Sequence, residues 1–298
     1  MKLCTSTGDF SYFYTDDKEK IKELNRAGFK YIDFSLYGNE AEKYMSDDWR
    51  AKVKELKAVA DDLGMKFVQM HSPAFETLET LDPNENWDEK LAQTIRSIEM
   101  CKLLDIPMTV VHAGVKRNTS KEETIELNKQ FYQLLVPAME ETGTQVLVEN
   151  APVADNQGRY YLNSGARLKE FLDYFNHPLL RACWDVGHGN YFGAQYDDIL
   201  TLGKYISAIH YNDNVGGPVD MHTIPFMGTL NNDEVVRALI EIKFSGPFTF
   251  EATGKGACIR NFSNNNDREI KLSIIRALEV ALYQTGKLLL NKYNIFEE

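Results

Sequence analysis

The sequence predicts an α/β protein, a single-domain (β/α)8 TIM barrel over residues 1–298, and three observations lead to it. Short segments rich in β-forming residues alternate eight times with longer segments of helical period. The short segments are continuously apolar, as parallel strands buried on both faces should be. The chain has 298 residues, 43% of them hydrophobic. Barrels of about 250 residues commonly fold as one domain.

The predicted elements follow from these periods and from the turn residues between them. The strands are expected at residues 2–7, 31–36, 66–70, 108–111, 145–148, 179–184, 206–209 and 247–250. The helices are expected at residues 18–27, 47–63, 88–104, 120–139, 167–175, 197–202, 233–242 and 267–284. Ser120 and Glu123 have the spacing of a capping box at the start of the fourth helix. The buried stripe of the last helix is expected to consist of Ile270, Ile274, Leu278 and Leu282.

The composition limits the cellular setting and the partners. A formal net charge of −11 at pH 7 disfavours binding to a phosphate backbone, so nucleic acid is not expected as a partner. The sequence has no apolar run of membrane-spanning length and begins without a signal peptide, so we expect a cytoplasmic protein without a membrane partner. Reduced, buried thiols are expected because no CxxC pair occurs among Cys4, Cys101, Cys183 and Cys258.

Acidic and imidazole side chains stand at the carboxyl ends of six predicted strands. In a (β/α)8 barrel these ends meet at one mouth, where the active sites of such barrels are built. The six residues are His71, His112, Glu149, Asp185, His210 and Glu251. Any one strand-end histidine is more often a structural residue. However, five of the six histidines lie at strand ends or in the loops after them. This segregation indicates a functional centre.

Four of these residues form a mixed oxygen and nitrogen donor set, namely Glu149, Asp185, His210 and Glu251. Such a set suits a divalent metal ion (Mn²⁺, Co²⁺, Mg²⁺ or Zn²⁺), and the lack of cysteine argues against a structural zinc. A cation would also offset the repulsion between three carboxylates. It would chelate neighbouring sugar oxygens, polarise a carbonyl and stabilise an enediolate. The two glutamates would then serve as acid and base on either side of the reacting carbon.

The strand that ends at Asp185 is followed by two glycines with a histidine between them. Glycine allows a sharp turn and a close approach of the backbone to a ligand. Asp185 and His188 are therefore expected to act on the same bound atom. Taken alone, the segment fits equally well a turn in which the aspartate caps the next helix.

Loop residues near the strand ends suggest a pocket lining. Phe10 is expected on an apolar side of the substrate pocket and Trp87 over it, unless both only take part in ordinary loop packing. Basic residues that would bind a phosphate or a carboxylate, or else form a solvated surface, are Lys116, Arg117, Arg159, Lys255 and Arg260. Without a firm anion site, the sequence leaves open whether the substrate is phosphorylated.

With these motifs in hand, the chain resembles the xylose isomerase-like barrel superfamily over nearly its whole length. That superfamily contains sugar and sugar-phosphate isomerases and epimerases, inosose-processing enzymes and endonuclease IV. The resemblance rests on seven segments in order: His71-Ser72-Pro73, Val111-His112-Ala113-Gly114, Val148-Glu149-Asn150, Trp184-Asp185-Val186-Gly187-His188-Gly189-Asn190, His210-Tyr211-Asn212-Asp213, Asp220-Met221-His222 and Phe250-Glu251.

Resemblance to the ketose 3-epimerase branch implies that the metal ligands are Glu149, Asp185, His210 and Glu251. It also implies that Glu149 and Glu251 form the acid–base pair and that His188 holds a substrate oxygen. That branch often has an arginine soon after the histidine of the seventh strand. Here the segment Asn214-Val215-Gly216-Gly217 follows instead. The departure puts a standard ketose 3-epimerase in doubt.

Resemblance to endonuclease IV implies a larger set that would hold three zinc ions. The matching positions are His71, His112, Glu149, Asp185, His188, His210, Asp220, His222 and Glu251. The acidic charge and the aromatic loop at residues 8–14 argue against the nuclease. In the isomerase interpretation, four of these residues instead line the substrate pocket: His71, His112, Asp220 and His222.

The sequence therefore predicts a metal-dependent isomerase or epimerase of a small-molecule sugar, sugar phosphate or inosose. Dehydration of a keto-polyol begins with the same proton abstraction and stays open. Two further functions stay open as well, a phosphodiesterase for abasic DNA and a catalytically silent sugar-binding barrel. A homo-oligomer is compatible with the fold, but no segment identifies an interface.

Overall fold

A computed structural model describes residues 1–73, 87–155, 158–217, 220–252 and 267–298. Eight parallel strands form a closed barrel in which each strand pairs with the next and the eighth with the first. The strands are β1 Lys2–Ser6, β2 Tyr31–Ser35, β3 Lys66–His71, β4 Met108–Val110, β5 Gln145–Glu149, β6 Leu180–Asp185, β7 Ile206–Tyr211 and β8 Pro247–Phe250. The predicted barrel is confirmed.

Helices connect the strands and surround the barrel. They are α1 Asp17–Ala27, α2 Trp49–Asp62, α3 Trp87–Leu104, α4 Lys121–Gln133, α5 Val136–Thr142, α6 Gly165–Phe175, α7 Val186–Asn190, α8 Tyr196–Leu202, α9 Asn232–Glu241 and α10 Arg268–Lys292. The capping box predicted from Ser120 and Glu123 is present at the start of α4. None of the helices described is long and apolar enough to cross a membrane.

Two helices differ from the prediction. Residues 120–139 were expected to form one helix, but α4 ends at Gln133 and α5 begins at Val136. Pro137 explains the break, because proline lacks an amide hydrogen and fits only the first turn of a helix. The last helix continues past residue 284 to Lys292, where Leu289 and Leu290 extend its buried face.

The stripe predicted for α10 is wrong at its first two positions. Leu282 is buried, but Ile270 and Ile274 are 62% and 46% exposed. A run of four-residue steps drifts by about 40° per step around a helix with 3.6 residues per turn. Four positions spaced in this way cannot all face the barrel equally, and the buried positions at the start of the helix belong to Leu272 and Ile275 instead.

The main core lies between the strands and the helices and includes Trp184, Phe248 and Phe250. A smaller apolar cluster comprises Val110, Leu147, Cys183 and Ala208. Its four members precede His112, Glu149, Asp185 and His210 by two positions each. Because side chains of a strand alternate between its two faces, they occupy the same face as these polar residues. They form an apolar floor beneath the polar mouth. Cys4, Cys101 and Cys183 are buried free thiols, and Cys258 lies outside the described residues.

Candidate metal centre

The carboxyl ends of four neighbouring strands bring four donor residues together. Glu149 and Asp185 end β5 and β6, His210 is the penultimate residue of β7, and Glu251 directly follows β8. One donor atom from each of the four lies within 4.8 Å of the others. The donor set predicted from the strand ends therefore exists as a compact group.

His210 stands between the two glutamates of this group. Its Nδ1 atom is 2.7 Å from Glu149 Oε1 and 3.1 Å from Glu251 Oε2. Glu149, Asp185 and His210 are buried, whereas the side chain of Glu251 is 21% exposed. The group is therefore closed on the barrel side and open where Glu251 faces the mouth.

Asp185 has two structural partners besides its place in the group. Its Oδ1 accepts a hydrogen bond from the His188 amide at 2.7 Å and so caps α7. Its Oδ2 accepts from Asn212 Nδ2, also at 2.7 Å. The helix cap that the sequence allowed is real, and it coexists with the donor position. Both bonds fix the direction in which the remaining lone pairs point.

Asn150 fixes the neighbouring histidine. Its Oδ1 accepts from the Asp185 amide at 2.7 Å, and its backbone oxygen lies 2.7 Å from His188 Nδ1. With Nδ1 donating to that carbonyl, Nε2 is left to face Asp220, whose Oδ2 is 3.5 Å away. The backbone of α7 is equally constrained, because a Cβ on Gly187 would lie 1.8 Å from Asn212 Oδ1.

Two further clusters flank the central group. On one side His71 Nε2 is 3.1 Å from His112 Nε2, which in turn is 2.9 Å from Glu149 Oε2. On the other side His222 Nε2 is 2.8 Å from Asp220 Oδ1. Among the described residues, three of the four donor groups with ligand spacing are His71–His112–Glu149, Glu149–Asp185–His210–Glu251 and Asp185–His188–His222. All nine residues of the larger set predicted from sequence thus lie around one mouth.

The carboxyl groups of the cluster differ in their pKa values. Burial opposes ionisation of Glu149, but the charges and hydrogen bonds of His210 and His112 prevail and hold its pKa well below the usual range. Burial also opposes ionisation of the partly exposed Glu251, yet His210 lowers its pKa to about 2. Burial raises the pKa of Asp185 to about 6 despite the nearby charge of His188. The two glutamates are therefore ionised at neutral pH.

The histidines of the cluster have pKa values that are shifted in both directions. Burial and the neighbouring His112 lower the pKa of His71 to about 4, so it is a neutral nitrogen donor at neutral pH. Burial also opposes a charge on the partly buried His222, but Asp220 and Glu251 raise its pKa to about 9. Asp185 and Asp220 raise the pKa of His188 well above its usual value against the effect of burial. Protons on His188 and His222 balance the charge of the carboxylates, and a bound cation would supply that positive charge instead.

The expected pocket walls are only partly where the sequence placed them. Phe10 has no exposed surface and packs 6.4 Å from the ring of Tyr14 in a core cluster, so the prediction that it lines the pocket is wrong. It belongs to a short helical turn after β1, which directs the ring into the core. Trp87 is the first residue of α3 and packs half-buried against the main core. Arg159 is buried, and Lys255 and Arg260 lie outside the described residues.

Sequence reasoning missed a layer of residues directly beneath the donors. Cys183 was assigned only to the core, yet with Glu149 and His210 it forms a group within 4.8 Å. Burial raises the pKa of its thiol to about 12, so it is a neutral neighbour. Gln69 and Thr249 stand two positions before His71 and Glu251. That spacing of two along each strand is the signal that would have found them.

Known proteins with similar sequences and structures are distant relatives. The chain is 20% identical over 259 residues to the uncharacterized protein y4fM of Sinorhizobium fredii (strain NBRC 101917 / NGR234), over 78% of this chain and 80% of that one. The D-psicose 3-epimerase of Clostridium cellulolyticum H10, solved with D-tagatose, is 16% identical and has a TM-score of 0.73 over 97% of this chain and 99% of its own.

The IOLI protein, whose crystal structure has a binding zinc atom, is 18% identical with a TM-score of 0.75. The match covers 98% of this chain and 99% of that one. At these identities the structural likeness concerns the fold. A family model, the xylose isomerase-like TIM barrel, matches residues 21–276. This chain therefore belongs to the xylose isomerase-like TIM barrel family.

Proposed function

We propose that the protein is a metal-dependent isomerase or epimerase of a small sugar, sugar phosphate or inosose. The observation that carries the proposal is the pairing of Glu149 and Glu251 on either side of His210, at 2.7 Å and 3.1 Å from its Nδ1 atom. Structural neighbours described as D-psicose 3-epimerase and 3-keto-D-glucoside 4-epimerase support an enzyme of this kind.

The residues fit a divalent cation by the chemistry of their donors. Glu149, Asp185, His210 and Glu251 offer three carboxylates and one imidazole within 4.8 Å of one another. Such a set suits Mn²⁺, Co²⁺, Mg²⁺ or Zn²⁺. A cation held there supplies positive charge that polarises a sugar carbonyl. The apolar floor that contains Leu147 and Ala208 keeps water from the inner side of the centre.

The chain itself supplies the proton transfers and the grip on the substrate. One glutamate takes the proton from the carbon next to the carbonyl, and the other returns a proton. Glu251 faces the mouth, and Glu149 lies deeper. His188 has Nδ1 tied to the Asn150 carbonyl, so its Nε2 is the atom that holds a substrate oxygen. In the same proposal His71, His112, Asp220 and His222 line the substrate pocket.

The segment after β7 favours a substrate without a phosphate group. Where the ketose 3-epimerase branch often has an arginine, Asn214 is buried and bonded to Asn190 and to the Gly187 carbonyl. The amide of Asn214 is thus used within the protein, and the segment 214–217 offers no basic side chain that would bind a phosphate. Ketoses and inososes without phosphate are therefore the first substrates to assay.

The proposal is tested with protein that has been stripped by a chelator and reloaded with Mn²⁺, Co²⁺, Mg²⁺ or Zn²⁺. A panel of ketopentoses, ketohexoses and inososes is incubated with it, and products are separated by chromatography. We expect an epimer or isomer of at least one substrate, formed only by the reloaded protein. A dehydrated product would identify the keto-polyol dehydratase instead. Turnover that is independent of any metal would contradict the proposal.

A trinuclear phosphodiesterase for abasic DNA is the second candidate. The observation in its favour is that His71–His112–Glu149 and Asp185–His188–His222 each have ligand spacing beside the central group. The net charge of −11 opposes it because the DNA backbone is also negative. Cleavage of an abasic duplex by zinc-loaded protein with three bound ions would establish it. A lack of duplex binding even at low salt would exclude it.

A further inference from the structure

A buried amide reaches the centre from the opposite side of the barrel. Gln69 lies on β3 and has no exposed surface, and its Nε2 atom is 2.8 Å from Nε2 of His210 on β7. These two strands face each other across the closed barrel. The same amide nitrogen is 3.2 Å from Asp33 Oδ1, and its oxygen accepts from Thr249 Oγ1 at 3.2 Å. Gln69 is therefore the partner of the His210 nitrogen that points away from the carboxylates.

This contact determines where the imidazole hydrogen can reside. An amide nitrogen only donates, so the facing Nε2 of a neutral His210 must accept. The ring hydrogen is then on Nδ1, where it points at Glu149 and Glu251. In that tautomer Nδ1 has no lone pair for a cation. The arrangement with the amide nitrogen towards the ring is thus the one that favours a metal-free centre.

Cation binding at Nδ1 of His210 requires a hydrogen-bond acceptor, instead of a donor, opposite Nε2. When Nδ1 binds a metal ion, the hydrogen moves to Nε2 and needs an acceptor, as metal-bound histidines generally have. A half-turn of the Gln69 amide puts its oxygen there, and Thr249 can accommodate the turned amide because a hydroxyl both donates and accepts.

Asp33 opposes that half-turn. It is 3% exposed, and the turned amide would place its oxygen opposite the Asp33 Oδ1 atom that now accepts from the nitrogen. Two oxygen acceptors without a hydrogen between them repel each other in a buried site. An asparagine at position 33 would remove this repulsion because its amide can donate to the turned Gln69.

We propose that Gln69 is a positioning residue that sets the tautomer of His210, and that Asp33 biases it towards the metal-free form. The pair would adjust how tightly the centre holds a divalent cation. This inference rests on the metal centre of the proposed function. It predicts effects of opposite sign for two neighbouring substitutions, which general damage to the fold would not produce.

The test is a calorimetric titration of the chelator-stripped full chain with Mn²⁺. Gln69→Leu removes the acceptor, so we expect affinity to fall about 10- to 100-fold, as for other outer-shell partners of metal ligands. Asp33→Asn should bind Mn²⁺ more tightly than the wild type. Gln93→Leu is the matched control, since Gln93 is also buried but lies on α3 and bonds to Glu89. It should leave the affinity unchanged.

A spectroscopic readout checks the tautomer itself. In ¹⁵N-edited NMR of the metal-free wild type, we expect the hydrogen of His210 on Nδ1 alone, and on Nε2 alone with Zn²⁺ bound. Failure of the wild type to bind any cation would overturn the proposed function together with this inference. Three results would overturn only the inference: wild-type affinity in Gln69→Leu, equal or weaker affinity in Asp33→Asn, or a hydrogen on Nε2 of His210 in the metal-free wild type.

Discussion

The Oε1 atom of Glu149 lies 2.7 Å from Nδ1 of His210, a contact that joins β5 to β7 past the intervening β6. The other oxygen of Glu149 is 2.9 Å from His112 on the opposite side. Glu149 thus belongs to three of the four donor groups found among the described residues. For this reason we expect the proposed metal centre and the proposed proton transfer to depend most on Glu149.

Replacing either member of the proposed acid–base pair should abolish most of the turnover. We expect kcat to fall about 10²- to 10⁴-fold in Glu149→Gln and in Glu251→Gln, the range attributed to one acid–base group. Steady-state kinetics on the reloaded proteins measures this, and circular dichroism checks the fold. Glu140→Gln is the control because Glu140 is an exposed partner of His177. Full activity in Glu149→Gln would show that the mechanism is wrong.

Divalent metal should stabilise the folded protein. A ligand that binds only the native state at a hundred times its Kd adds about 2.7 kcal/mol to the free energy of unfolding. Thermal unfolding with and without Mn²⁺ should therefore show a higher Tm with the metal in the wild type. Glu251→Gln should show a smaller increase, since one donor is lost. An equal increase in both proteins would place the cation elsewhere.

Gly187 should tolerate no side chain. A Cβ there would lie 1.8 Å from Asn212 Oδ1, and Asn212 holds the Asp185 carboxylate. We expect Gly187→Ala to lower the free energy of unfolding by about 1–3 kcal/mol, as overpacking does, and to weaken metal binding. Gly193→Ala is the comparison, since nothing lies near its Cβ although its φ is +104°. That variant should lose about 1 kcal/mol through backbone strain and bind metal normally. Equal metal affinities in the two variants would contradict this account of Asn212.

A buried carboxylate outside the candidate site links the first helix of the chain to the last. Glu23 on α1 accepts from Tyr14 at 2.8 Å and from Arg276 on α10 at 2.6 Å. Burial opposes its ionisation, but hydrogen bonds from Arg276 and Tyr14 lower its pKa below the ordinary 4.5. A lowered folded-state pKa stabilises the protein above the unfolded-state value, and the gain disappears as the pH falls through the folded-state value.

Glu23→Gln should therefore lower the free energy of unfolding at pH 7 by about 1–3 kcal/mol, the cost of a lost buried charged partner. Urea denaturation at several pH values measures the difference from wild type, which should shrink as the pH falls below 4.5. Glu19→Gln is the control because Glu19 is an exposed partner of Lys22. A difference that stays constant between pH 7 and pH 3 would contradict the assignment.

The barrel, and the grouping of the polar residues at its mouth, could be predicted from the sequence. Parallel strands bring their carboxyl ends to one mouth, so Glu149, Asp185 and His210 could be placed together without coordinates. The packing of Phe10 could not be predicted, because a short helical turn after β1 directs its ring inwards. Ile270 and Ile274 were misplaced because the phase of a long helix depends on what it packs against.

The layer beneath the donors was the main omission. Gln69, Cys183 and Thr249 follow the same alternation as the donors, yet a glutamine or a threonine in an apolar strand carries no signal of its own. These residues come close to the donors only because β3, β6 and β8 enclose the same barrel interior. Contacts across the barrel, such as that of Gln69 with His210, depend on strand tilt and register, which local patterns do not specify.

The most direct test of proton transfer by the two glutamates is solvent exchange. Metal-loaded protein is incubated in D₂O with each ketose and inosose, and the recovered sugar is analysed by mass spectrometry and NMR. We predict one deuterium at the carbon next to the carbonyl with the wild type and none with Glu149→Gln or Glu251→Gln. Exchange that is unaffected by either substitution, or its absence with every substrate for the reloaded wild type, would contradict the account.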